Sequence, residues 1–423
     1  MEAQKSTPDP MVDMYSGLGG ATEGIEIGEE CLERKADILG INHWKLAVDN
    51  YATLHPNARH KHESVDNVDP RTAVPGGRLA MLWGSPECTH HSNARGGKPR
   101  SDQSRASAWQ IVRWVEALYV ARIIVENVEE FRSWCPLDED GQPIWKLKGQ
   151  TYLAFLRSLR SLGYHVQERV LCCADYGDAT SRERLFILAH RERKVRWPEP
   201  MYSKHGDVTL FGQMPKWRSA REIIDWHLKG SSIYGRKRPL VDGTIAWIEK
   251  GLRKYSGKPF IVQMDQGGSL HSVEDPMVTI TTADAFGLVD PEPFLVEYYG
   301  TGHPLSLDDP LPTQTTKDRF GLVEPVLTTK NGHPYLDIRF RMLQPHELAA
   351  ATSLLAPPIG NREDRVKLIG NAVPSYTAAA LTIAQMSTNS NEMEKGLQRL
   401  FALQQERRNL ALSPKTTAIP TPA

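Results

Sequence analysis

Met11-Val12-Asp13-Met14-Tyr15-Ser16-Gly17-Leu18-Gly19-Gly20 reads as a short strand running into a glycine-rich turn. Such a turn lets backbone approach a ligand closely, as in nucleotide-binding α/β folds. Working outward, residues 36–42 read as a second strand followed by a helix over 43–54, and 79–83 as a buried strand. Trp109, Val112, Val115 and Leu118 recur at helical spacing, which predicts an amphipathic helix over 104–120 packed on the sheet. Residues 122–125 form the next strand and deliver Glu126 to its C-terminal end; a helix over 151–162 and strands over 166–171 and 185–190 follow. This alternation predicts a Rossmann-like α/β fold, a doubly wound and mostly parallel sheet covered on both faces. Ligands bind such sheets outside the carboxyl ends of the strands, where Ser16, Cys88 and Glu126 all fall.

The totals bound the rest. At 423 residues the chain exceeds the roughly 250 to 300 residues at which single cores stop growing, so two lobes are expected. Lys plus Arg number 51 and Asp plus Glu 51, so nucleic-acid affinity must come from clustered charge. Such clusters stand at Arg95, Lys98, Arg100 and Arg105, at 182–196, and at Arg236, Lys237 and Arg238; solvated surface charge is the plain alternative for many of them. Cys31, Cys88, Cys135, Cys172 and Cys173 form no paired Cys-x-x-Cys element, which argues against zinc and for a reducing cytosol. The polar N-terminus and the lack of a long apolar run indicate neither secretion nor membrane insertion, and a cytoplasmic location is expected.

After about residue 190 the texture turns to Pro, Gly, Thr and aromatics in short alternating runs. An internal repeat lies here. Pro259-Phe260-x-Val262 returns as Pro293-Phe294-x-Val296, and Asp275-Pro276-x-x-Thr279-x-Thr281-Thr282 as Asp309-Pro310-x-x-Thr313-x-Thr315-Thr316. Asp284-x-Phe286-Gly287-Leu288-Val289 matches Asp318-x-Phe320-Gly321-Leu322-Val323 with the same offset of 34. The Pro, Gly and β-branched content makes these two successive β units, over 259–289 and 293–323, not helix pairs. Helices are expected over 345–352 and 374–386, with Pro374 in a first turn. A charged helical appendage over 392–412 and a disordered end over 413–423 complete the chain. The expected domains are 1–190, 191–338, a return over 339–388, and a tail over 389–423.

A thiol, a carboxylate and two guanidiniums following a glycine-rich turn are the parts needed to attack and alkylate a pyrimidine ring. Cytosine C5 is a poor nucleophile until a thiolate adds at C6, and Cys88 is the candidate. Alone it would more often be an inert buried thiol. Glu126 would bind the cytosine edge and share a proton with N3. Arg182 and Arg184, two apart on an extended segment, project to one side and suit the base O2 and a phosphate, with a surface ion pair to Glu183 as the alternative. His90 and His91 invite a metal reading, but no second ligand cluster accompanies them, so no metal is expected.

These motifs resemble those of the DNA cytosine-5 methyltransferase family, bacterial or phage type, over 11–190 and 339–386. The resemblance implies the S-adenosylmethionine-dependent methyltransferase fold with a smaller, irregular β-rich target recognition domain at 191–338. It implies cofactor contacts from Asp13, Tyr15, Ser16, Gly17, Leu18, Gly19, Gly20, Asn42, His43, Asp66, Pro86, Asn371 and Val373, with Gly370–Pro374 as the last motif. Cys88, Glu126, Arg182 and Arg184 match the catalytic and base-binding residues, and Arg341-Met342-Leu343-Gln344-Pro345-His346-Glu347 the motif that organises the recognition domain. Ser92, Arg95, Lys98, Arg105, Thr281, Thr282, Thr315 and Thr316 are the expected DNA contacts. Three departures stand out: Glu87 intervenes between Pro86 and Cys88, followed by Thr89; Thr180 opens the Arg-x-Arg motif; and Asn42 stands where an acid would meet the cofactor ribose. The implied activity is methyl transfer to C5 of a flipped cytosine in duplex DNA, by a monomer, with a cognate restriction endonuclease as a further partner. An RNA (tRNA) cytosine-5 methyltransferase and a catalytically weak DNA-binding relative are the alternatives.

Overall fold

Strand β1 (Met11–Met14) is the centre from which the sheet is built: β2 (Ile38–Asn42) and β4 (Met81–Gly84) flank it, both parallel to it. The computed structural model describes residues 10–86, 107–139, 142–209, 212–225, 227–229, 231–240, 242, 245, 260–263, 269–272, 286–289, 294–297, 304–330 and 333–412. Cys88, Glu87, Thr89, His90, His91, Ser92, Arg95, Lys98, Arg100 and Arg105, like Thr281 and Thr282, lie outside the described residues. Adding β3 (Arg59–His62), β5 (Arg122–Asn127), β6 (His165–Cys172) and β7 (Glu183–His190) gives the sheet order β3-β2-β1-β4-β5-β7-β6. β1 to β5 run parallel, and β7 runs antiparallel between β5 and β6. The chain moves outward from β1 to β3 and then returns to β4 on the other side. The reversal between β1 and β4 is the crevice where such sheets bind ligands.

Alternating strand residues feed two cores, because successive side chains point to opposite faces. On one face Val12, Leu82, Ile123 and Ile187 pack with α3 (Trp109–Ala117) and α4 (Gln150–Ser161) through Ile111, Trp114, Phe155 and Leu159. On the other, Met11, Met81, Trp83 and Ile124 pack with α1 (Gly20–Cys31) and α7 (Ser375–Met386), while α8 (Ser390–Leu412) adds Leu400. α2 (Lys45–Leu54), α5 (Pro345–Ala351) and α6 (Arg362–Asn371) complete the helices used below.

α1 carries Gly20, Gly24 and Gly28 one turn apart on one face. An ideal Cβ at these positions would stand 2.2 Å from the Val373 carbonyl oxygen, 2.3 Å from Ala378 Cβ and 2.8 Å from Thr382 Cβ. Each glycine costs roughly 1 kcal/mol of helix propensity relative to alanine. The close approach of α1 to α7, whose twelve residues are all buried, offsets that cost.

Several expectations are corrected. The helix expected over 104–120 is described from Trp109 and ends at Ala117, because Tyr119–Val120 pairs in parallel with Arg78–Leu79 as a small separate ladder. Pro374 precedes α7 in an extended conformation, φ −61° and ψ 128°, and is not in its first turn. α8 is no appendage: Arg399 donates to the Cys31 carbonyl at 2.9 Å, Gln404 to that of Tyr176 at 2.8 Å, and Gln404 is buried. Strand β3, Arg-His-Lys-His, lacks any apolar residue because it is a largely exposed edge strand. α1 and α6 were not expected from the sequence, and α1 begins at Gly20, the last residue of the stretch read as a turn.

Two compact units divide the chain, Met1–Arg218 with Pro310–Thr316 and Leu348–Ala423, and Ser219–Asp309 with Lys317–Glu347. The first boundary therefore falls at 218/219, later than the expected 190/191, and the stretch 310–316 belongs with the sheet described above. In the second unit the strands are β8 (Ser231–Ser232), β9 (Phe260–Gln263), β10 (Ser269–Ser272), β11 (Phe286–Val289), β12 (Phe294–Glu297), β13 (Pro304–Leu305), β14 (Phe320–Lys330) and β15 (His333–Met342). They form sheets of order β10-β9-β11 and β8-β15-β14-β12-β13.

The sequence repeat is a repeat of pairing. Ile261 faces His271 and Leu288, and 34 positions later Leu295 faces Leu305 and Leu322. In each copy the first strand is the middle one, held antiparallel on both sides. The Arg341-to-Glu347 motif closes its own clasp: both guanidinium Nη atoms bond the buried Glu347 carboxylate at 2.8 Å, and that carboxylate accepts from the Asp225 N–H at 2.7 Å.

Candidate active site

The carboxyl ends of β2, β1, β4 and β5 bring Asn42, Tyr15, Pro86 and Glu126 to one edge of the sheet. Because β7 runs antiparallel, its beginning lies at that same edge, which is how Arg184 meets Glu126: Nε stands 3.3 Å from Oε1, the side chains 13% and 10% exposed. A pair so nearly dry is held more firmly than a surface one. The Asn127 amide donates to the Pro86 carbonyl at 3.2 Å and its oxygen accepts from the Val128 N–H at 2.9 Å. The chain entering Cys88, two positions after Pro86, thus starts from a point pinned beside Glu126. Sequence reasoning gave Asn127 no role of its own.

Arg182 is placed differently from Arg184. It is 4% exposed, and its Nη1 donates to the carbonyls of Gln314 and Gly370, each at 3.1 Å. Arg184 Nη1 donates to the Glu183 carbonyl, and its ion pair is with Glu126. Thr180 is fully buried and donates to the Pro312 carbonyl at 3.3 Å. Thr315 and Thr316 lie against Gly370, where a Cβ would stand 2.3 Å from the Thr315 carbonyl oxygen.

The turn after β1 is strained in a definite way. Tyr15, a bulky residue, has φ +61°, and Gly17 and Gly19 have φ +56° and +96°. The left-handed conformation costs Tyr15 roughly 1–2 kcal/mol. Its hydroxyl donates to the Ser107 carbonyl at 2.9 Å and the ring packs on the core, which holds it there. Among the described residues a Cβ on Gly17 meets nothing within 4 Å, so that backbone faces open space there; on Gly19 it would collide with His55, whose Nδ1 pairs with Glu26 at 2.9 Å. Leu18 is buried, and the Ser16 N–H is spent on the Ile41 carbonyl at 3.2 Å.

Asp13, an expected cofactor contact, lies inside the sheet edge. It is fully buried and accepts from Thr22 Oγ1 at 2.8 Å, and burial pushes its carboxyl up to about 7 despite that bond. Burial raises Glu23, in the first turn of α1, to about 7 as well. Asn42 Oδ1 accepts from the Trp44 N–H at 2.9 Å, which leaves its amide donor for a hydroxyl. His43 is exposed and its carbonyl accepts from His62 at 3.0 Å. Asp66 is half-buried; the Arg113 guanidinium on α3 donates to the carbonyls of Val65, Asp66 and Val68 and so fixes the loop that carries it. Asn371 is exposed and Val373 buried against Gly20.

Asp178, unmarked in the sequence, caps α7 from outside. Its carboxylate accepts from the N–H groups of Tyr376 and Thr377 at 3.3 and 3.0 Å and from Thr377 Oγ1 at 2.7 Å. Burial outweighs these bonds and raises it to about 6. Burial also pushes the Cys31 and Cys172 thiols up to about 11 and Cys173 further, which makes each a poor nucleophile.

The family pattern described as C-5 cytosine-specific DNA methylase matches residues 10–241, more than half of the chain. The chain belongs to that family. It is 26% identical over 191 residues to the type II methyltransferase M.Sau3AI of Staphylococcus aureus, a match covering 43% of each chain. It is 29% identical over 227 residues to DNA (cytosine-5)-methyltransferase 1A of rice, Oryza sativa subsp. japonica, covering 45% of this chain and 14% of that one. The matches span about half the length of the bacterial relatives, 43% of the first and 59% of M.HgiDII from Herpetosiphon aurantiacus. In fold the chain is similar to the Entamoeba histolytica methyltransferase EhMeth, TM-score 0.54 at 13% identity, over 90% of this chain and 98% of that one. The S. pombe Dnmt2 methyltransferase is similar to the same degree, TM-score 0.53 at 13% identity, over 89% and 98%. The expected methyltransferase fold is therefore the observed one. Among the described residues no helix is long and apolar enough to cross a membrane.

Proposed function

We propose that this chain methylates C5 of a cytosine rotated out of duplex DNA, with S-adenosylmethionine as methyl donor. The observation that carries the reading is the nearly dry Glu126–Arg184 pair, set at the same strand ends as the Pro86 anchor and the β1 turn. Glu126 holds the pyrimidine edge and shares a proton with N3, while Arg184 fixes the carboxylate and offers its fork to O2. Cys88 adds to C6, which makes C5 nucleophilic, and is expelled after the C5 proton leaves. Rotating the base out costs a few kcal/mol, offset by contacts in pocket and groove.

The residues present fit the cofactor. Open space at Gly17 after β1, the Asn42 amide donor at the end of β2 and the half-buried Asp66 after β3 follow the carboxyl ends of neighbouring strands, and the N–H groups at the start of α1 favour a carboxylate. When bound, S-adenosylmethionine supplies an electrophilic methyl group. Tyr15, Asn42, Asp66 and Val373 would hold it, and the second unit, with Ser92, Arg95, Lys98 and Arg105, would hold the duplex. A monomeric cytoplasmic enzyme with a cognate restriction endonuclease as partner is part of the proposal; the names of the bacterial relatives, type II methyltransferases, support the methyl-transfer role.

Duplex DNA carrying 5-fluorocytosine tests this, because fluorine blocks the elimination step. We expect a covalent adduct that survives denaturation, lost in Cys88→Ser, together with bisulfite-resistant cytosines in cells expressing the chain. Full methylation by Cys88→Ala would overturn it.

A further inference from the structure

The stretch Pro310–Thr316 continues the second repeat in sequence but belongs to the catalytic unit in space. Leu311, fully buried, pairs with Thr180 as a parallel bridge: the Ser181 N–H donates to the Leu311 carbonyl at 2.8 Å and the Leu311 N–H to the Ala179 carbonyl at 3.0 Å. Buried Gln314 donates through Nε2 to the Leu348 carbonyl at 2.9 Å, and its own carbonyl shares Arg182 Nη1 with that of Gly370. Gly370 has no room for a side chain because the Thr315 carbonyl lies there. One guanidinium thus joins three segments: the start of β7, the 310–316 stretch and the last motif.

The two repeats differ at these positions. Where the second copy has Pro310-Leu311-Pro312-Thr313-Gln314, the first has Pro276-Met277-Val278-Thr279-Ile280, and an isoleucine cannot donate the bond that Gln314 makes. The side-chain bond to Leu348 is therefore available to the second copy and not to the first. Thr180, a departure from the family pattern, finds its purpose in the same contact.

We propose that Pro310–Thr316 is a strap and Arg182 its tie, a positioning residue that sets the start of β7, and so Arg184 on Glu126, without touching the target base. The inference rests on the methyl-transfer reading for its kinetic consequence only. Arg182 is 4% exposed, and turning its guanidinium out toward a base would take Nη1 from both carbonyls and leave them unpaired.

Hydrogen exchange at the Ser181 and Leu311 amides, alongside single-turnover methylation of a cytosine duplex, tests it with the full chain. In Arg182→Ala and in Gly370→Ala we expect protection at both amides to fall and the rate to drop by about 100-fold, the scale of a 1 Å misplacement. Arg182→Lys keeps a donor for the carbonyls and should restore protection and most of the rate, and Arg182→Ala combined with Gly370→Ala should be no worse than either alone. Unchanged protection in Arg182→Ala with a collapsed rate would overturn the inference, as would Arg182→Lys behaving like Arg182→Ala with protection intact. Wild-type chain inactive on every cytosine duplex, with protection responding as described, would sink the methyl-transfer reading and the kinetic claim while sparing the tie itself.

Discussion

Gly24→Ala probes the contact on which the cofactor turn rests. Alanine would gain roughly 1 kcal/mol of helix propensity at this interior position of α1. Its Cβ, however, would stand 2.3 Å from Ala378 Cβ, 2.8 Å from the Ser375 carbonyl oxygen and 2.9 Å from the Ala378 carbonyl carbon. None of these atoms is the end of a flexible side chain, so α7 itself must shift. Overpacking typically costs 1–3 kcal/mol, and backbone neighbours place this site at the upper end, so a net loss of about 1–2 kcal/mol is expected. That corresponds to a melting temperature lower by roughly 1–3 °C in a unit of this size. Affinity for S-adenosylhomocysteine, the demethylated product, should weaken with it, since Gly20 at the start of α1 abuts Val373. Gly76→Ala, whose Cβ would meet nothing within 4 Å, is the control and should change stability by no more than about 0.5 kcal/mol. Thermal unfolding and titration calorimetry read both effects. A Gly24→Ala protein as stable as the wild type would refute the close α1–α7 packing argued here.

Other outcomes can be checked directly. Glu126→Gln keeps an acceptor for Arg184 but no proton-sharing carboxylate, so single-turnover rate should fall far more than DNA affinity; equal falls would make Glu126 structural. The buried Asp13 carboxyl, raised to about 7 from an ordinary value near 4, holds its proton in the folded chain when the unfolded chain has lost it. Stability from this group therefore declines as pH rises from about 4 to about 7, and Asp13→Asn should flatten the urea midpoint across that window; an unaltered slope would assign it to other groups. Exchanging 219–309 and 317–347 for those of a related enzyme, with Pro310–Thr316 kept, should move the methylated site and spare cofactor affinity, whereas a chimera with the original site would place recognition elsewhere.

The sheet was legible in the sequence because strands buried on both faces read as short apolar runs: 11–15, 36–42, 79–83, 122–125 and 185–190 each fall on strand residues. The 34-residue offset was legible too, and it proved to be a repeat of strand register, since equal residues at equal spacing make equal pairings. Where local pattern was absent, the reading failed. Arg-His-Lys-His at β3 carries no strand signal because an exposed edge needs none, and Gly20 reads as the end of a turn until α7 is packed against it.

The candidate site divides the same way. Glu126 and Arg184 could be marked from sequence because each sits at a strand end, and strand ends are local features. That Arg184 pairs with Glu126 while Arg182, two residues earlier, turns to Gln314 and Gly370 could not, because those partners lie 132 and 188 residues away. Nor does a sequence carry the burial that raises Asp13 or the carbonyls that claim Thr180. A side chain's type is written in the chain, but what it bonds is set by distant backbone brought beside it, and only the packed fold fixes which unpaired groups are left for it to meet.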